Sequence, residues 1–244
     1  MILLLALFQI LTSSGDTGKY PRWFFFPPDS LPCITGYSYQ TTTPNYDASV
    51  RWSVFTSAGL TGNVEYWNHQ SKNPDDRRNS DYQFEFSSPL ADSIQPKLVS
   101  IDRFGTNQFQ NEYIELYSFS PDTAGIFDWQ KLTTYPKQSW TDSTAWHDED
   151  FFYGVGSFTI KYNENDAWRV AEDRAILAAV QHYQLELAEV KILNRSEMKD
   201  DLEGVTRLRF NHRLTGITVL GRWVNTQYKT ALVWVRVKKI ENLK

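Results

Sequence analysis

Cysteine and histidine are scarce in this 244-residue chain. Its single cysteine, Cys33, rules out an internal disulfide framework, and none of the four histidines lies in an HxH or HExxH pattern. A GxSxG elbow, a Walker sequence and a complete dinucleotide-binding fingerprint are also missing. Because the common catalytic and cofactor sites carry such local signatures, we expect a non-enzymatic protein without a metal ion or cofactor.

Concentrated charge and long hydrophobic runs are missing as well. The 25 basic and 29 acidic residues are spread along the chain and give a formal net charge of −4, without the basic stripe that nucleic-acid binding uses. After Ser14 no apolar run is long enough to span a bilayer. The sequence therefore argues against a nucleic-acid partner and against a transmembrane span.

Residues 1–15 combine an apolar run with the small residues that close it. This pattern is typical of a secretory signal peptide. We therefore expect an exported protein.

Aromatic residues, in contrast, are plentiful: they make up 15% of the chain and include nine tryptophans. They suit the large cores of small β-rich domains, and they also suit stacking platforms for sugars or partner proteins. The candidate partner- or sugar-binding residues are Trp129, Trp140 and Trp146, which lie in and after the segment that joins the two halves of the chain.

Residues 151–196 predict the local architecture. Residues 151–160 are mostly β-branched and aromatic and contain Gly154 and Gly156, which indicates a strand that another backbone approaches closely. An alanine-rich helix follows from Asn165 to near Gln181. We expect its Ala171 and Ala178 to face the sheet and its polar side to carry Arg169, Glu172 and Asp173. From residue 183 to 194 apolar and polar residues alternate, which predicts a second strand.

The first half of the chain repeats these features in the same order. Gly36 corresponds to Gly156, and Arg103 corresponds to Arg222. We therefore predict an α+β fold made of two tandem copies of a β-α-β-β-β-β domain, residues 19–119 and 134–238, each an antiparallel sheet with one helix packed on one face. The linker, residues 120–133, contains three apolar residues that we expect to pack between the copies: Ile126, Phe127 and Trp129.

Three groups of residues give the chain a resemblance to the LPP-twenty lipoprotein family, which is related in fold to the N-terminal domain of the flagellar assembly protein T. They are Pro21-Arg22-Trp23 with Gly36, Tyr153–Ser157 with Asp166-Ala167, and the hairpin Gly216–Val237. The resemblance implies an exported envelope protein, in the periplasm or peripherally associated with the outer membrane, without defined catalytic residues. Family members are often lipid-anchored, but Pro32 precedes Cys33 here, so the lipobox that such an anchor needs is missing.

Few polar residues lie in a sequence pattern that suggests a chemical role. His147-Asp148-Glu149-Asp150 has the ligands for a divalent cation but lacks the glycine turn of a wrapping loop, so a solvated loop is the simpler interpretation. Asp47 and Asp166 lie at equivalent helix starts, where capping is the simpler role. Arg103 and Arg222 each lie beside an aromatic residue, which favours stacking or a salt bridge at a sheet edge over substrate binding.

These observations leave three hypotheses. The first is a non-enzymatic envelope protein that assembles with other cell-envelope or surface-structure proteins, and an uncovered sheet edge or a flat apolar patch favours it. The second is a secreted carbohydrate-binding module, which exposed aromatics along a groove favour. The third is an enzyme with a site built from dispersed residues, which a deep pocket with several buried titratable groups favours.

Overall fold

The computed structural model describes residues 20–27, 33–38, 43–67, 78–106, 112–121, 130–132, 135–161, 163–192 and 205–238. The predicted signal peptide, residues 1–15, lies outside the described residues, and so do Ile126, Phe127 and Trp129 of the linker. The helices and strands, in chain order, are α1 (Arg22–Phe25), β1 (Cys33–Tyr37), α2 (Pro44–Ser57), β2 (Ala58–Trp67), β3 (Arg78–Glu85), α3 (Ser88–Ile94), β4 (Val99–Gly105), β5 (Tyr113–Ser118), β6 (Ala145–His147), β7 (Phe151–Thr159), α4 (Glu164–Ile192), β8 (Val205–Leu214), β9 (Thr218–Asn225) and β10 (Thr230–Lys238).

The strands form three antiparallel sheets with the orders β1-β5-β4, β6-β7-β10-β9 and β3-β2-β8. Helix α2 packs on the first sheet and α4 packs on the second. The predicted α+β class with antiparallel sheets and a helix on one face is therefore confirmed.

Two of the sheets share a strand arrangement. In one sheet β5 lies between β1 and β4, and in the other β10 lies between β7 and β9. Gly36 and Arg103 both pair with Glu115, while Gly156 and Arg222 both pair with Val233. In each sheet the matched glycine and arginine therefore flank the same residue of the central strand. A shared strand order does not by itself establish a duplication, which stays a prediction.

The predicted strand at residues 183–194 is wrong, because α4 continues to Ile192. The segment is rich in leucine, glutamate and alanine, which are strong helix formers. Their helix propensity outweighs the short alternating pattern that suggested a strand. Among its described residues, the second half therefore lacks one strand of the predicted β-α-β-β-β-β order.

The two halves also share a sheet. Strand β8 of the second half pairs with β2 of the first half from Ala58↔Leu214 to Trp67↔Val205. One sheet thus contains two strands of the first predicted copy and one strand of the second. The two copies therefore do not form separate sheets.

Two glycines of β7 let α4 lie close to its sheet. A Cβ atom at Gly156 would overlap the backbone of Ala171 and Ala175, and one at Gly154 would overlap the backbone of Ala175 and Ala179. The predicted close approach at these glycines is confirmed. The helix face that makes it consists of Ala171, Ala175 and Ala179, all fully buried, whereas Ala178 is only half-buried. The prediction for Ala171 is therefore confirmed and that for Ala178 is wrong.

The residues from Tyr20 to Phe25 fill the space between the halves. The Phe24 ring lies 5.0 Å from the Trp168 ring of α4 and 5.4 Å from the Phe104 ring of β4, measured between centroids. The indole N–H of Trp168 donates a hydrogen bond of 3.2 Å to the Tyr20 hydroxyl. The segment is also held through its backbone, since the amide of Arg22 donates to the carbonyl of Gln130 at 2.8 Å. Aromatic residues near the start of the chain therefore join the core of both halves.

Candidate functional site

The sheet β6-β7-β10-β9 has one covered face and one open face. Side chains alternate along a strand, so Gly154 of β7 and Val233 of β10 face α4 while Tyr153 and Trp234 point to the opposite side. A short 3-10 turn, Ser139–Asp142, lies next to this second face. The open face thereby collects aromatic residues from β6, β7, β10 and the turn.

Four half-buried rings form a continuous aromatic surface there. The rings of Trp146 and Tyr153 stack with centroids 5.2 Å apart and an interplanar angle of 8°. Trp140 stacks on Trp234 at 5.8 Å, and Trp146 lies at the same distance from Trp234. Together they line a groove of about 820 Å³. We call it the aromatic groove, and its other lining residues are Phe25, Phe26, Gln138, Ser139, Ser143, Asp148, Leu220, Gly221 and Arg236.

Polar groups lie at defined positions in the aromatic groove. The Tyr153 hydroxyl donates a 2.6 Å hydrogen bond to Asp148 Oδ2, and burial together with this bond raises the pKa of Tyr153 to about 12. Among the described residues, the buried indole N–H of Trp234 and the Nε–H of Arg236 have no hydrogen-bond partner. Both atoms are shielded from solvent, so the polar groups that a ligand in the groove can reach lie on other lining residues such as Gln138, Ser143 and Asp148.

The structure brings together two of the three aromatic residues predicted for binding. Trp140 and Trp146 both line the aromatic groove, whereas Trp129 lies outside the described residues. Tyr153 and Trp234 were not predicted from the sequence. The alternation along β7 could have identified Tyr153. Gly154 and Gly156 mark the face that the helix covers, and Tyr153 lies on the opposite face.

The acidic patch at His147–Asp150 forms local hydrogen bonds. Asp148 Oδ1 accepts from the backbone amides of Asp150 at 2.9 Å and Phe151 at 2.8 Å. His147 Nδ1 lies 3.0 Å from His182 Nε2 of α4. Within the described part of the chain, no group of three or more histidine, cysteine, aspartate or glutamate residues is arranged to hold a metal ion.

A second polar site is buried between the halves. The carboxylate of Glu172 in α4 is fully buried and forms ion pairs with Arg51 of α2 and with Arg222 of β9, the latter at 3.4 Å. It also accepts a 3.3 Å hydrogen bond from the hydroxyl of Tyr37 in β1. Arg222 Nη1 donates to the carbonyl of Phe24 at 3.0 Å. Glu172, which the helical pattern placed on a polar face, is therefore the centre of a buried ion cluster.

The structure shows what the two arginines and two aspartates with predicted roles contact. The guanidinium carbon of Arg222 lies 4.6 Å from the Phe24 ring centroid, and that of Arg103 lies 3.6 Å from the Tyr113 ring centroid, so stacking is confirmed for both. The capping role is wrong for Asp47, whose Oδ2 accepts from the amide of Tyr37 at 2.9 Å across to β1. It is also wrong for Asp166, because Asn163 Oδ1 accepts from the amide of Asp166 at 3.0 Å and caps α4.

A cavity of about 340 Å³ adjoins the buried ion cluster, and its lining includes Arg51, Glu172 and Arg222. Buried titratable groups in a pocket are the feature that favours an enzyme. Both oxygens of Glu172 are engaged, however, one by Arg51 and the other by Tyr37 and Arg222. This carboxylate is therefore held by ion pairs and is poorly placed for proton transfer.

Comparisons of the chain with protein-family models, with curated proteins and with solved structures gave no significant match. None of the described helices has the length and apolar character needed to cross a bilayer.

Proposed function

We propose that this protein is an exported, non-enzymatic binding protein that recognises carbohydrate through the aromatic groove. The observation that carries the proposal is the contiguous set of rings at Trp140, Trp146, Tyr153 and Trp234. Pyranose rings present apolar C–H faces that pack on aromatic side chains, and their hydroxyl groups need hydrogen-bond partners at the edges. Asp148, Gln138 and Ser143 line the groove and supply such partners.

A protein partner is the second candidate occupant of the same surface. Tryptophan, tyrosine and arginine are the residues that dominate binding energy at protein interfaces, and Arg236 lies beside the four rings. Strand β6, next to the groove, is hydrogen-bonded to β7 and ends its sheet among the described strands. A partner strand added at β6 would place its side chains in the aromatic groove, which is how an envelope protein would assemble with this chain.

Titration with defined oligosaccharides tests the carbohydrate proposal. Cellohexaose, chitohexaose and maltohexaose are titrated against the full chain by calorimetry and tryptophan fluorescence. We expect at least one to bind, and we expect Trp146→Ala and Trp234→Ala each to weaken that binding at least tenfold, the loss typical of a central aromatic contact. Tyr228→Ala is the matched control, because Tyr228 is the most exposed of the large aromatic residues described and is not part of the groove lining.

Two results would contradict the carbohydrate proposal. One is that none of the oligosaccharides binds at millimolar concentration. The other is that the Trp146→Ala and Tyr228→Ala variants bind equally well. A protein from envelope extracts that is retained by the wild type and Tyr228→Ala, but not by Trp146→Ala, would instead support the second candidate.

A further inference from the structure

Two histidines from different elements face each other at the surface of the second half. His147 is the last residue of β6 and is exposed, and His182 lies in α4 and is half-buried. Nδ1 of His147 lies 3.0 Å from Nε2 of His182. The two residues are 35 positions apart in the chain, so no short metal-binding motif contains both of them. We call them the histidine pair.

The surroundings of the histidine pair hold both rings in place. The Phe152 ring of β7 lies 5.9 Å from the His147 ring and 6.5 Å from the His182 ring, measured between centroids. His147 is also the partner of Phe152 in the ladder between β6 and β7. The turn after His147 is closed by the amide of Asp148, which donates to the carbonyl of Phe151 at 3.1 Å. The two ring nitrogens are therefore positioned on regular elements before any ligand binds.

Two imidazole nitrogens at this separation have a defined chemistry. In the neutral pair one nitrogen donates its N–H to the lone pair of the other. A metal ion that replaces the shared proton binds both lone pairs, and the proton passes to the other nitrogen of its own ring or to solvent. Imidazole is a good ligand for zinc, copper and nickel ions. Because the contact between the two rings is exposed, an ion can reach it from solvent.

The distance between the nitrogen atoms distinguishes among these metals. With metal–nitrogen bonds of about 2.0–2.1 Å, two nitrogens about 90° apart around an ion are separated by about 2.8–3.0 Å, and two at the tetrahedral angle by about 3.3–3.4 Å. The observed 3.0 Å fits the first arrangement, which belongs to the tetragonal sites of copper(II) and nickel(II). The exposed carboxylates of Glu149 and Asp150 follow His147 closely in the chain and add negative charge that favours a cation.

We propose that the histidine pair binds a divalent transition-metal ion, and copper(II) most tightly. Copper(II) forms the most stable complexes of the divalent ions in this series, and water molecules complete its coordination. The bound ion joins β6 to α4. Neither histidine lines the aromatic groove, so this proposal stands or falls separately from carbohydrate binding.

Addition of copper(II) chloride to the metal-free full chain tests the proposal, in a non-coordinating buffer at pH 7.5. Calorimetry measures affinity, and electron paramagnetic resonance counts the coordinated nitrogens. We expect saturable binding of about one ion per chain, a spectrum with two coordinated nitrogens, and weaker binding of zinc. His147→Gln and His182→Gln should each weaken copper binding at least tenfold. His212→Gln is the matched control, because His212 lies on β8 in another sheet and should leave the affinity unchanged.

The spectrum of the wild type decides the matter even where a variant does not fold. No saturable copper binding at millimolar concentration, or a spectrum without two coordinated nitrogens, would overturn the proposal. Equal affinities in His147→Gln and His212→Gln would also overturn it, because copper would then be held elsewhere on the chain. Zinc bound as tightly as copper would contradict the tetragonal site.

Discussion

Asp47 shows how a single buried residue makes stability depend on pH. Burial raises the pKa of its carboxyl, and this effect outweighs the attraction of Arg51, the hydrogen bond from the amide of Tyr37 and the attraction of Arg169. The folded protein therefore holds the Asp47 proton more tightly than the unfolded chain, in which the aspartate pKa is about 3.9. The stability that this proton contributes is complete below about pH 4 and is lost as the pH rises through the folded pKa.

Replacement of Asp47 by asparagine removes this titration while keeping an oxygen for the amide of Tyr37. Relative to the wild type, the unfolding free energy of Asp47→Asn should therefore increase as the pH rises above about 4, by up to about 1.4 kcal/mol per pH unit until the folded pKa is passed. Urea unfolding of both proteins between pH 3 and pH 8 measures the difference. A difference that stays constant, or that moves in favour of the wild type, would contradict the prediction.

Among the elements, α4 lies so close to its sheet that the size of each side chain on its inner face is limited. Ala175 lies above both Gly154 and Gly156, and its backbone is where an added Cβ on either glycine would collide. Ala178 is on the same helix but only half-buried. These two alanines therefore form a matched pair that differs in orientation and not in residue type.

Ala175→Leu should force the helix away from the sheet and lower the unfolding free energy by about 1–3 kcal/mol or more, the usual cost of overpacking. Ala178→Leu should cost clearly less, because the larger side chain can extend towards solvent. The midpoints of urea unfolding compare the two. If Ala178→Leu were the more destabilising variant, the helix would present a different face to the sheet.

At the scale of the whole molecule, described residues join the two halves through a shared sheet, a packed segment and a buried ion pair. Strand β8 pairs with β2, the residues from Tyr20 to Phe25 pack against both halves, and Glu172 of α4 forms an ion pair with Arg51 of α2. Separation of the halves would thus expose apolar surface and leave Glu172 without Arg51.

The fragment of residues 134–244 should therefore unfold at a lower temperature than the full chain, or show no cooperative transition, although element order alone favours its independent folding. The full chain should unfold in a single transition. Differential scanning calorimetry of both proteins tests this. A fragment that unfolds cooperatively at the midpoint of the full chain would show that the second half is stable without the first.

Local sequence patterns were sufficient to predict the structural features that depend on neighbouring residues. Alternation and the glycines of residues 151–160 predicted β7 and the close approach of a helix, because a glycine in a strand removes the side chain that would keep another backbone away. The paired arginines, Arg103 and Arg222, were likewise placed correctly beside aromatic rings. The aromatic content of the chain identified Trp140 and Trp146 as candidates for binding.

Only the tertiary structure decided where distant residues meet. Glu172 has a polar position in the helical pattern, and its burial depends on Arg51 and Arg222, which lie far from it in the chain. The pairing of β8 with β2, and the completion of the aromatic groove by Trp234, depend in the same way on contacts between separated segments. Local sequence restricts backbone conformation over a few residues. Burial and charge pairing depend on how the whole chain packs, and the residues around a single position do not determine that packing.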